Sequence, residues 1–230
     1  MVHFTLFGIP VYIRPSFWVV LAIFGGALSI SSVEDLIYPA LFVIAGFIAI
    51  LSHEMGPALV GRRLGVGQQT IVLDLFGGLT SSLGMQLTRG GRALMILAVP
   101  MMTLLLGIIS LWLTWNIVAP VMASHNLDFW DLAISPFTAA LISPKLYILS
   151  CLIMIGEWWT LLNLLPIYPL DGGQLIAQYI RSPRKVFMTG FITAILIGLL
   201  SFQLFHGYFI PIFMALFAYS NYREYKNAPF

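Results

Sequence analysis

Hydrophobic and polar positions fall in long blocks along this chain. Apolar runs lie at about Phe17–Ile30, Leu36–Leu51, Ala93–Ala119, Leu146–Leu165, Val186–Phe205 and Tyr208–Tyr219, each bounded by polar, proline or glycine residues. A helix that crosses a bilayer needs about 20 apolar residues. The pattern therefore predicts an all-α polytopic membrane protein with about six transmembrane helices, the first and last of them short for a perpendicular crossing. Between the second and third runs the pattern changes. Two β-prone segments, Thr70–Phe76 and Leu79–Leu83, flank Gly77-Gly78, which predicts a small membrane-associated β-hairpin. From Pro120 to Pro144 the only apolar stretch, Leu132–Ile142, is interrupted by Pro136 and too short to span, so an interfacial or re-entrant segment is expected.

Composition agrees with the blocks. At 60% hydrophobic and 9% charged, the 230 residues carry too few charges to cover a soluble globule. A net charge of +2, without a basic cluster interleaved with aromatics, argues against a nucleic-acid partner. The single Cys151 leaves no intrachain disulfide to form. The amino terminus lacks the charged region and small-residue cleavage site of a signal peptide. Charge also orients the chain. Of the 11 Lys and Arg residues, only Lys145 falls outside one set of alternate loops, so the positive-inside rule places both termini in the cytoplasm.

Two polar clusters interrupt the apolar runs. The first is Ser52-His53-Glu54-Met55-Gly56-Pro57 at the end of the second run. In a His-Glu-x-x-His helix, imidazoles at i and i+4 share a face and hold Zn²⁺, and the Glu serves as base for the metal-bound water. Here His53 and Glu54 stand in those places, but i+4 is Pro57, which has no donor atom. Proline also lacks the N–H that would bond the His53 carbonyl, so the helix is expected to kink or stop there, at a cost of about 3 kcal/mol. A His and a Glu adjacent at bilayer depth are costly and point to function.

The second cluster closes the fourth run: Glu157-Trp158-Trp159-Thr160, then Asn163-Leu164-Leu165-Pro166, then Pro169-Leu170-Asp171-Gly172-Gly173. Pro166 and Pro169 should end the helix, and the glycines should let the chain turn tightly beside Asp171. Asp171 is either the N-cap of a following helix or a functional carboxylate. Glu157 lies mid-run, either neutral and hydrogen-bonded within the bundle or a participant.

Together, His53-Glu54-x-Gly56, the Phe76-Gly77-Gly78 turn and Asn163-x-x-Pro166-x-x-Pro169-Leu170-Asp171-Gly172-Gly173 resemble the site-2 protease family of intramembrane zinc metalloproteases. The start of the chain, Gly8-Ile9-Pro10 through Pro15-Ser16-Phe17-Trp18, also looks like that family. The resemblance implies one transmembrane domain over residues 1–230, with the protease-like core at about 36–180 and additional C-terminal helices at about 186–220. It implies Zn²⁺ as cofactor, held by His53 and Asp171, with the family's second histidine falling on Pro57. Glu54 would be the base, and Asn163 a contact to substrate or oxyanion. Phe76, Gly77 and Gly78 would lie in a strand that pairs with an unwound single-span membrane substrate. Because of Pro57, two functions compete: a protease that acts weakly or with a replacement ligand, and a pseudoprotease that binds membrane helices without cutting them. A small transporter is disfavoured, since the runs show no inverted repeat.

Overall fold

The structure is a computed structural model that describes residues 1–75, 77–83, 87–125 and 128–228. It opens with a hairpin of β1 (Val2–Leu6) and β2 (Ile9–Ile13), whose turn residues Phe7 and Gly8 both have positive φ. Burial alternates along β2, where Ile9, Val11 and Ile13 face the core. Helix α1 (Pro15–Phe24) starts on proline, whose fixed φ suits the first helical turn. Two single 3₁₀ turns then lead to α2 (Ile37–Arg63). A second hairpin, β3 (Gln68–Asp74) and β4 (Gly77–Leu83), precedes α3 (Arg89–His125). The short α4 (Phe129–Ile134) and α5 (Pro136–Ala140) connect to α6 (Pro144–Asn163), followed by α7 (Asp171–Tyr179), α8 (Pro183–Phe205) and α9 (Phe209–Asn227).

The chain is mostly helical but not all-α. The described strands form one sheet in the order β1-β2-β3-β4; β2 and β3 run parallel, with Val11 opposite Ile71, and the other pairs are antiparallel. The first hairpin was not expected from sequence. Gly8 and Pro10 break its alternation, and the partner that makes β2 an inner strand lies on the far side of α2.

Among the described residues, four helices are long and apolar enough to cross a membrane: Glu34–Arg63, Arg89–Pro120, Pro144–Asn163 and Pro183–Leu204. Of the other two predicted runs, the first holds only the 10 residues of α1, and the last becomes the 19-residue α9, which carries Arg223, Glu224 and Lys226. The Pro120–Pro144 region contains α4 and α5, of six and five residues, neither long enough to span.

Pro57 does not stop α2, which continues to Arg63. The lost backbone bond is outweighed by packing on both sides of it. Ala58 is fully buried, and a Cβ on Gly56 would lie 2.5 Å from the carbonyl oxygen of Ala98, so α3 sits directly on the α2 backbone. Helices held by tertiary contacts in an apolar setting tolerate proline for this reason.

The chain divides into two compact units, Met1–Thr160 and Leu161–Phe230. In the first, α1 runs back along α2: a Cβ on Gly46 would lie 2.7 Å from Leu21, and one on Gly25 3.1 Å from Phe42. Ile13, Phe17, Leu21, Ile50, Met55 and Leu73 form one core between the sheet and these helices. A second cluster joins Ala45 and Ala49 of α2 to Leu149, Cys151 and Ile155 of α6. In the second unit α8 and α9 pair antiparallel, with Phe202 against Tyr208 and Phe191 against Tyr222.

Candidate active site

In the first unit His53 and Glu54 lie on the buried side of α2, 1% and 8% exposed. Strand β4 covers Glu54. A Cβ on Gly78 would sit 2.2 Å from Glu54 Cγ, so only glycine permits this approach. Two residues along the same strand face, Thr80 Oγ1 lies 2.7 Å from Glu54 Oε2 and 3.0 Å from the Glu54 backbone oxygen. Thr80 thus engages both the carboxyl group and the helix backbone, in the turn where Pro57 removes a donor. Gly77 has a separate reason to be glycine: its φ is 103°, and a Cβ there would lie 2.0 Å from the Trp159 ring. The Gly-Gly pair therefore accommodates Glu54 on one side and Trp159 on the other. Phe76 lies outside the described residues.

Asn163 and Asp171 belong to the second unit. Asn163 is the last residue of α6 and is buried. Asp171 is not an N-cap; the cap position is Leu170, and Asp171 is the first helical residue of α7. A carboxylate in the first turn faces the positive end of the helix dipole. Gly172 and Gly173 do not form the tight turn expected from sequence. They are the first turn of α7, and Cβ atoms on them would lie 2.1 Å from Leu164 O and 2.4 Å from the Ile167 carbonyl carbon, so α7 lies flush on the preceding loop. Glu157 is exposed on α6.

The predicted residues thus fall into two sets: His53, Glu54, Gly77 and Gly78 in the first unit, Asn163 and Asp171 in the second. The sequence reading missed Thr80, although the period-two rule puts it on the same strand face as Gly78.

No protein-family model matches the chain. It is 26% identical over 227 residues to a zinc metalloprotease of Methanocaldococcus jannaschii, covering 94% of this chain and 57% of that one. It is 28% identical over 188 residues to a Synechocystis protein named as a candidate zinc metalloprotease, covering 76% of this chain and 43% of that one. The chain spans about half the length of these curated relatives. Among solved structures it is similar to a site-2 protease from Methanocaldococcus jannaschii, with a TM-score of 0.60, 23% identity, and coverage of 97% of this chain and 94% of that one.

Apolar helices long enough to span, in a fold shared with a solved site-2 protease, define the class as an integral membrane protein. With the Asn163–Gly173 motif, the zinc metalloprotease relatives and the shared fold, the chain is similar to the site-2 protease family.

Zinc is the cofactor of that family, but among the described residues the donor set does not complete a zinc site. Catalytic zinc has three protein ligands. Pro57 supplies no donor where the second imidazole belongs, and among the described residues of either unit no three His, Cys, Asp or Glu side chains gather to hold an ion.

Proposed function

We propose that this protein works as a site-2-protease-type machine that receives a membrane-spanning helix and holds an unwound segment of it along β4, beside Glu54. The observation that carries this reading is the placement of an edge strand directly on the buried glutamate, through Gly78 and Thr80. A segment paired to that edge by backbone hydrogen bonds lies next to the base.

Two readings divide on Pro57. In the first, another residue supplies the third ligand and the chain cleaves slowly. In the second, favoured by the missing donor at position 57, the chain is a pseudoprotease whose retained activity is helix binding. We further propose that both termini lie in the cytoplasm.

Zinc per chain, by elemental analysis, and cleavage of a single-span substrate decide between these readings. Both are measured in the natural chain and in Pro57→His. We expect the natural chain to hold well under one zinc, and Pro57→His to approach one and to cleave at least about 10-fold faster, since even groups that only support a metal ligand are typically worth 10–100-fold. One zinc in the natural chain with cleavage as fast as in Pro57→His would show that another residue completes the site.

A further inference from the structure

The loop that leads into Asp171 carries Pro166 and Pro169, and so has two N–H donors fewer than its carbonyls call for. Its remaining donors act locally: Ile167 N bonds Leu165 O at 2.7 Å, Leu170 N bonds Ile167 O at 2.8 Å, and Gln174 N bonds Leu170 O at 2.9 Å. The carbonyls of Tyr168 and Pro169 are met by side-chain amides instead. Gln174 Nε2, on α7 itself, donates to Pro169 O at 2.9 Å. The other donor is remote in sequence: Asn221 Nδ2, on α9, donates to Tyr168 O at 2.6 Å.

Asn221 is 1% exposed, and its Nδ2 also donates to Phe217 O in its own helix at 2.9 Å, so both amide hydrogens are engaged and the side chain is fixed in orientation. Helix α8 makes room for this contact. A Cβ on Gly190 would lie 2.3 Å from Asn221 Oδ1 and 3.3 Å from the Cα of Ile167, so α8, α9 and the loop meet where they do because residue 190 is glycine. The Tyr168 ring completes the contact by packing edge-on against Phe187 of α8, with centroids 5.4 Å apart.

We infer that Asn221 is a positioning residue: through it the α8–α9 pair holds the Pro166–Pro169 loop and fixes the point from which Asp171 is presented. The functional consequence rests on the reading of Asp171 as a site residue, whereas the clamp rests on the contacts alone.

Hydrogen–deuterium exchange of the full chain in detergent micelles tests the clamp, comparing the natural protein with Asn221→Leu, which keeps the volume and removes the donor. The amides of Ile167, Leu170 and Gln174 are expected to exchange about tenfold faster or more, while α8 and α9 keep their protection. Gly190→Ala displaces Asn221 from the α8 side without altering its amide and should give the same local loosening. If Asn221→Leu does not fold, Gly190→Ala decides alone. Unchanged exchange in the loop, or loosening spread evenly over α8 and α9, would overturn the inference. Zinc uptake in the Pro57→His background separates the clamp from the functional reading. A loosened loop with reduced uptake supports both. A loosened loop with unchanged uptake supports the clamp and removes Asp171 from the metal site.

Discussion

Thr80 meets Glu54 at two atoms, and a hydroxyl has one proton to give. Donated to Oε2, that proton restricts the carboxyl group to one orientation, beside a helical turn weakened by Pro57. In the Pro57→His background, Thr80→Val should therefore lower cleavage of a single-span substrate about tenfold, the worth of one buried hydrogen bond. Thr80→Ser, which keeps the hydroxyl, should retain most of the rate. Equal losses in the two variants would assign the effect to the methyl group and its packing. At this scale the sequence is informative where chemistry and spacing coincide, as in His53-Glu54 and Asn163 through Asp171. It is silent on Thr80 and Asn221, because their partners are 26 and 53 residues away and a hydroxyl or amide in an apolar run carries no signature of its own.

The second hairpin divides into two strands with different tasks. β3 is an inner strand, paired with β2 and β4, and Leu73 within it is fully buried and accepts a hydrogen bond from Arg14 N at 2.9 Å. Proline at Leu73 would break the sheet from within and say little about substrate. The edge is β4, and substrate capture is tested there. Successive backbone N–H groups along a strand alternate in direction, so of Ser81→Pro and Ser82→Pro one removes a donor that faces the open edge. That variant should weaken photocrosslinking to a single-span helix severalfold while membrane insertion stays intact. If both variants capture the helix as the natural chain does, binding along the edge is excluded. The long helices were legible because run length alone signals a span. The first hairpin and the continuity of α2 through Pro57 were not, because each depends on a neighbour distant in sequence: β3 for the strand, α3 for the proline.

For the whole molecule, the sheet constrains topology. The parallel pairing sets Ile13 beside Leu73, and Arg62 Nη1 donates to Phe7 O, so the first hairpin lies at the Arg63 end of α2. The chain from Pro15 to Leu36 must then cover the full length of α2, about 40 Å at 1.5 Å per residue, although only 10 of its residues are in α1. This return path puts the amino terminus at the Arg62–Arg63 end of α2, and from the basic charge collected there we expect that end to be cytoplasmic. Cysteine substituted at Val2 and at Arg184 should accordingly react with membrane-impermeant reagents only from the cytoplasmic face, and labelling of either from outside would overturn this orientation. The strands paired in parallel are also made well apart in time. β2 leaves the ribosome well before β3, and at roughly 5–20 residues per second the interval is on the order of several seconds. In that time β1 and β2 form a lone two-stranded ribbon, marginal in water, while α2 enters the bilayer. When β3 emerges, the ribbon gains its partner, and β4 then closes over Glu54. The cover over the glutamate is thus completed only once β4 has been made, and a chain stalled after α2 carries the glutamate without it.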